Sequence, residues 1–213
     1  MAHRVPSVEE ISAYMPLVNA AAVSTRDRTV FLRRTGMEID LGGVGKEYAV
    51  DRAADLLRAE GIRAAIVSFA GDVRTISHRR DGRPWSVGVA DPRERGRCRF
   101  SVRVIGDAGI ATSGDYERGF VKNGVRYHHI LDATTGWPAC GVASATVVAA
   151  TAFRAGCYST AALLLGEEAG LALLEETPDV EGALITDRGA ILATSGMRFL
   201  SDLPGSAWEG CRY

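Results

Sequence analysis

The sequence predicts an α+β fold, with groups of mainly antiparallel strands and helices inserted between them. Three observations carry that prediction. Short β-rich runs are separated by hairpin signals, Asn123-Gly124 and Asp187-Arg188-Gly189. Apolar residues recur at helical spacing behind capping residues at Ser7 and Thr151. No repeat of about 20–50 residues and no low-complexity linker divides the chain, so one domain over residues 1–213 is the simplest organisation.

The elements follow in order. Ser7 with Glu9 and Glu10, then Ile11, Tyr14, Leu17 and Val18, predicts a helix over Ser7–Asn19. Thr29–Arg33 is a short strand, and Asp40–Gly45 is a glycine-rich turn. A helix from Lys46 to Glu60 gathers Tyr48, Val50, Ala53, Leu56 and Leu57 on one side, and Gly61 ends it. Ala64–Phe69, Asp72–Ser77, Trp85–Ala90 and Arg99–Ile105 read as strands. Phe120–Lys122 and Val125–Leu131 flank Asn123-Gly124 as a type I′ hairpin. Ser144–Ala149 is a further strand. Helices follow from Thr151 to Leu165 and from Glu167 to Glu176. Ala183–Thr186 and Ala190–Thr194 form the last hairpin.

The totals narrow the function. With 25 basic and 26 acidic residues the net charge is −1, which argues against a nucleic-acid groove. The arginines at 79, 80 and 83, and at 93, 95, 97 and 99, read as solvated turns. Cys98, Cys140, Cys157 and Cys211 contain no C-x-x-C pair, so neither a zinc knuckle nor a dithiol motif is expected. No apolar run approaches the ~18 residues of a membrane span. The polar start, Met1 to Ser7, has no apolar signal core, so the chain as written reads as cytoplasmic.

Several short motifs carry the chemistry, and each has a plain structural alternative. Asp40-Leu41-Gly42-Gly43-Val44-Gly45-Lys46 precedes a helix, where backbone N–H groups meet an anion and Lys46 reaches a phosphate. Glu47 stands where a magnesium-holding Ser or Thr belongs in a Walker loop, and Tyr48 replaces the last glycine of a dinucleotide fingerprint. A strand-to-helix turn fits this stretch equally well. Gly71-Asp72 offers close backbone approach and an acceptor, or a turn between strands. Thr112-Ser113-Gly114-Asp115 offers two hydroxyls on a tight turn, for phosphate or ribose oxygens or for capping. His128 and His129 point to opposite faces of a strand, so one enters a cleft beside Asp132 and Thr135-Gly136 and is poised for acid–base work. Gly156 and Thr160 lie one turn apart, with Ser159 adjacent, on a small-residue helix face that also suits plain packing.

In their order along the chain, these motifs resemble the ApbE family of flavin transferases, the FAD:protein FMN transferases. The resemblance runs through Asp40 to Ala53, Gly71-Asp72, Pro84-Trp85 with Asp91-Pro92, Ala111 to Arg118, Tyr127 to Asp132 with Thr135-Gly136, and Val147-Val148-Ala149 leading to Thr160. It implies a magnesium-dependent transfer of FMN from FAD to a Thr or Ser hydroxyl of a target protein, with release of AMP. It implies that Asp40, Gly42, Gly43, Lys46, Gly71, Asp72, Thr112, Ser113, Gly114 and Ile130 contact FAD. It assigns Mg2+ to the Gly43 carbonyl and the Thr160 hydroxyl. His129 becomes the base for the acceptor hydroxyl, with His128 in reserve.

Two departures from the family stand out. The family carries a longer N-terminal part, with an opening Met-Gly-Thr-like strand and flavin contacts, and without it sheet edges are left open. The family's metal-binding Asp, one turn before Thr160, is Gly156 here, which leaves another carboxylate such as Asp115 to serve. Two expectations follow: an active transferase, or a non-catalytic or truncated relative that binds flavin or nucleotide. Family members are mostly periplasmic or membrane-anchored, which leaves the compartment open.

Overall fold

The structure, a computed structural model, describes residues 4–197 and 199–200. Met1, Ala2, His3 and Cys211 lie outside the described residues. Helix α1 (Val8–Tyr14) opens on a capping box: Ser7 Oγ accepts from Glu10 N–H at 3.2 Å, and Glu10 accepts from Ser7 N–H at 2.8 Å. It stops short of the predicted Asn19. Met15–Leu17 tightens into a 3-10 turn around Pro16, which has no N–H to continue the ladder.

Strands β1 (Val23–Arg26) and β2 (Thr29–Leu32) form a hairpin that the sequence reading half missed. Its two-residue turn, Asp27-Arg28, takes positive φ of 49° and 60° without any glycine to announce it. Helix α2 (Gly45–Ala59) follows, then β3 (Ala65–Phe69) and β4 (Asp72–Ile76). Ala70-Gly71 is the tight turn between those two strands, with Phe69 opposite Asp72.

The next strands are β5 (Trp85–Ala90), β6 (Cys98–Val104) and β7 (Ala108–Gly114). The hairpin of β8 (Gly119–Lys122) and β9 (Val125–His128) turns at Asn123-Gly124, with Lys122 opposite Val125 as the motif predicted. Then come β10 (Val142–Ala149), α3 (Ala152–Leu165), α4 (Glu167–Glu176), β11 (Glu181–Thr186), β12 (Ile191–Ala193) and β13 (Phe199–Leu200).

Six strands build one sheet in the order β12-β11-β10-β7-β4-β3, with every neighbouring pair antiparallel. Helices α2, α3 and α4 cover one face, and the three-stranded sheet β13-β6-β5 covers the other. Alternation along β7 shows both sides: Ile110 packs with Phe100 and Val102, while Ala111 packs with Ala155 and Leu163. This is the predicted α+β class.

Strand β7 was missed because five of its seven residues are Ala, Gly or Ser, and the structure supplies the reason. A Cβ on Gly109 would lie 2.0 Å from the Thr151 carbonyl carbon and 2.1 Å from Ala152 N, so the start of α3 sits directly on the strand backbone. The segment Thr112–Asp115, read as a turn, is therefore largely the end of a central strand. Gly109→Ala is expected to destabilise the protein at the upper end of about 1–3 kcal/mol, because rigid backbone must move. Urea unfolding measures this, and a loss below about 0.5 kcal/mol would contradict the packing argument.

Candidate functional site

Helices α2 and α3 are tied together by one carboxylate. Asp51 of α2 accepts the first amides of α3, Ala152 N–H and Phe153 N–H, both at 2.9 Å. The same side chain ion-pairs with the buried Arg74 of β4 at 3.4 Å. Thr151 caps the same helix end by accepting from Arg154 N–H at 3.1 Å. One turn toward the start of α2, Glu47 lies against Gly156, one turn further along α3. A Cβ on Gly156 would meet Glu47 Cγ at 2.6 Å. The helices thus run antiparallel in a four-residue register.

Three charged groups collect at the start of α2. Lys46 Nζ donates to Asp72 Oδ2 at 2.6 Å, and the Asp72 side chain is only 3% exposed. Burial raises the Asp72 pKa, against the Lys46 hydrogen bond and the Thr112 N–H, which hold it down. Glu47 is 6% exposed, and its Oε2 has no hydrogen-bond partner. Its pKa is raised as well, first by burial and further by the Asp72 charge. Lys46 and Asp72, both expected to contact FAD, touch each other. Sequence reading used Glu47 only to reject a Walker loop; the missed signal is Glu47 and Asp51 at i, i+4 on the helix face that packs inward.

Hydroxyls line the neighbouring surface. Ser113 Oγ lies 2.8 Å from Ser159 Oγ and 2.9 Å from Thr160 Oγ1, joining β7 to α3. Thr112 points the other way, with Oγ1 2.9 Å from Thr146 Oγ1. The expected pair of hydroxyls on one turn is therefore corrected, since strand alternation splits them between faces. Gly114 lies against the Tyr116 ring, where a Cβ would meet Cε1 at 2.3 Å. In the loop before α2, Asp40 Oδ1 accepts from Gly42 N–H at 2.7 Å, while Asp40, Gly42 and Gly43 are exposed. The helix itself starts without a side-chain cap.

Asp115 is not available as the expected spare metal ligand. Arg93 holds it with two hydrogen bonds, at 2.7 and 2.9 Å, and also reaches Asp187 at 3.0 Å. Arg93 is thus a partner of buried charge, not the solvated-turn arginine expected. Among the described residues, no group of three His, Cys, Asp or Glu side chains is placed to hold a metal. Any cation here must draw on hydroxyl and carbonyl oxygens too.

The two histidines diverge as strand geometry predicts. His128 is buried, and both ring nitrogens are engaged. Ile130 N–H donates to Nδ1 at 3.3 Å, which leaves the proton on Nε2 to donate to the Ala139 carbonyl at 2.9 Å. His129 is exposed, and its Nδ1 lies 3.3 Å from the Arg118 carbonyl, so Nδ1 carries the proton. Among the described residues its Nε2 has no partner. His129 opens on a cleft of about 360 Å³ lined by Arg118, Tyr127, Trp137 and Pro138. Phe120 stacks on Tyr127 at 5.4 Å to stiffen that wall. Ile130 packs on the core beneath it.

Comparison with known proteins bears on this arrangement. The profile of the ApbE family matches residues 1–184. The chain belongs to the ApbE family. An FAD:protein FMN transferase of Klebsiella pneumoniae is 32% identical over 199 residues, covering 92% of this chain and 61% of that protein. One from Treponema pallidum is 36% identical over 180 residues, covering 79% and 49%. Among solved structures, the ApbE protein of Thermotoga maritima superposes with a TM-score of 0.82 at 36% identity, over 90% of this chain and 63% of that one. The flavin transferase ApbE from Vibrio cholerae gives 0.77 at 33%, over 92% and 63%. The chain thus spans about half to three-fifths of the length of these two curated ApbE relatives. Among the described residues, no helix is long and apolar enough to cross a membrane.

The buried Glu47 charge makes a stability prediction. A carboxyl whose pKa is raised by folding costs stability once pH passes the unfolded value, and the cost grows up to the folded value. Glu47→Gln removes that cost. In chelator-treated protein it is expected to be more stable than the parent at neutral pH, the gain shrinking to nothing near pH ~4. Thermal unfolding against pH measures this, and a variant less stable than the parent at neutral pH would contradict it.

Proposed function

We propose that this chain acts in transferring FMN from FAD to a Thr or Ser hydroxyl of a target protein, with Mg2+ required and AMP released. The observation that carries the reading is His129: one nitrogen tethered, the other unengaged, on an open cleft of an ApbE-family fold. The relatives named FAD:protein FMN transferase support FAD as the substrate and a protein as the acceptor.

The chain's own groups account for the chemistry. The acceptor hydroxyl oxygen attacks the phosphorus of the FMN half, while its proton passes to His129 Nε2. A new phosphoester O–P bond forms as the pyrophosphate bridge breaks, and AMP leaves with the bridging oxygen and its electron pair. His128, locked between Ala139 and Ile130, positions its neighbour. Lys46 and the uncapped amides of α2 offer positive charge to the pyrophosphate. Asp72 orients Lys46. The Asp40–Gly43 loop, Gly71 and the strand end at Thr112–Gly114 frame the nucleotide.

The residues present fit a hard divalent cation. A buried carboxylate oxygen lacks a partner, hydroxyls cluster at Ser113 and Thr160, and the Gly43 carbonyl lies in the adjoining loop. A bound Mg2+ supplies charge neutralisation at the pyrophosphate.

A second reading, a relative that binds flavin or nucleotide without transfer, is favoured by Gly156 in place of a carboxylate. Incubation with FAD, Mg2+ and a Thr-bearing acceptor peptide separates the two. The transferase reading expects AMP and a flavinylated peptide. His129→Ala should cut the rate about 10²–10⁴-fold while FAD affinity changes little. Bound FAD with neither product selects the second reading.

A further inference from the structure

We propose that Glu47 is the carboxylate ligand of a divalent cation in this chain, so that helix α2 supplies from one side the group that a carboxylate on α3, at position 156, would supply from the other. The proposal rests on the transferase reading for the cation's use, though not for its binding.

Three observations carry it. Glu47 is 6% exposed, yet its Oε2 has no hydrogen-bond partner. A buried carboxylate oxygen without a partner is costly and calls for a cation or a proton. The nearest ammonium, Lys46, is already held by Asp72 at 2.6 Å. Two carboxylates at the start of α2 therefore share one side-chain cation, and one negative charge is left over.

The second observation is steric. Any side chain at 156 begins at a Cβ placed 2.6 Å from Glu47 Cγ and 3.0 Å from its Cδ and Oε1. With Glu47 in this rotamer a side chain at 156 has no room, so the glycine is what lets Glu47 lie over α3 as it does. Absence of a carboxylate from α3 and its presence on α2 are one structural fact.

The third is register. Asp51 meets Ala152, and Glu47 meets Gly156. One more step of four residues along α3 leads from Gly156 to Thr160, while Gly43 lies in the loop that enters α2. Thr160 already shares its hydroxyl contact with Ser113 at 2.9 Å. Glu47 thus belongs to the same seam as the hydroxyl and carbonyl oxygens, and with them completes an all-oxygen set suited to Mg2+ or Mn2+.

Mn2+ alone is the probe, titrated into the full chain and read by electron paramagnetic resonance, with thermal unfolding in parallel. The parent is expected to bind one Mn2+ and to gain thermal stability from it. Glu47→Gln should bind roughly 10- to 100-fold more weakly, while unfolding in chelator at or above the parent's temperature, which shows an intact fold. The Glu47→Gly, Gly156→Asp double variant should regain most of the affinity. Gly156→Asp alone should lose stability, because its side chain meets Glu47. Equal Mn2+ affinity in the parent and Glu47→Gln, or no Mn2+ binding by the parent, overturns the assignment. Mn2+ binding that depends on Glu47, without AMP release from FAD, overturns only the transferase reading and leaves the cation site standing.

Discussion

The Asp51 carboxylate sets the geometry on which the rest of the site depends. It belongs to α2, caps the first turn of α3 and pairs with Arg74 in the central sheet. Three elements far apart in sequence are locked by one side chain, and each partner satisfies a group that burial would otherwise leave unpaired in a low dielectric. The favourable charge at a helix N-terminus adds to it. Once this tie is made, the positions of Glu47 and Gly156 follow from helical periodicity alone.

Around that tie the protein tolerates unfavourable electrostatics. Asp72 and Glu47 are both buried, and burial works against the charged form of each. A fold selected only for stability would replace such a pair with apolar groups. That cost is concentrated at one helix start, which is why the proposed cation and pyrophosphate site is placed there. The contrast with Asp115 is instructive. It is equally buried, but Arg93 satisfies it with two short hydrogen bonds, so it behaves as structure.

Much of the fold was legible because its signals are local. The capping box at Ser7 and the Asn123-Gly124 turn each act over a few residues, and each appears where expected, whereas the stripe expected on α2 is only partly inside: Val50 is buried, but Tyr48 and Leu56 are exposed, and Glu47 and Ala54 take the inner face. The failures are equally specific. The β1–β2 turn uses Asp27-Arg28 in a conformation normally given to glycine or asparagine. Strand β7 hid behind small residues whose purpose lies in another element, the start of α3. The site divided likewise. Lys46, Asp72 and the histidines stood out by residue type, whereas Glu47, Asp51 and Arg93 looked like ordinary surface charges.

The class of fold, the hairpins at Asn123-Gly124 and Asp187–Gly189, and membership of a family through the ordered motifs from Asp40 to Thr160 were fixed by the order of residues. These rest on chain-local preferences and on residue identity. Which charges are paired, and which are left over, was settled by packing in three dimensions. Packing gave Thr112 to Thr146 and Ser113 to Ser159 and Thr160, engaged both nitrogens of His128 while leaving one of His129 open, and gave Asp115 to Arg93. It also laid Glu47 over Gly156, turning an apparent loss at position 156 into an exchange between helices. The reason is physical: pairing and burial are set by distances between separate elements, about a hundred residues apart in the chain for α2 and α3, and no local pattern encodes those distances.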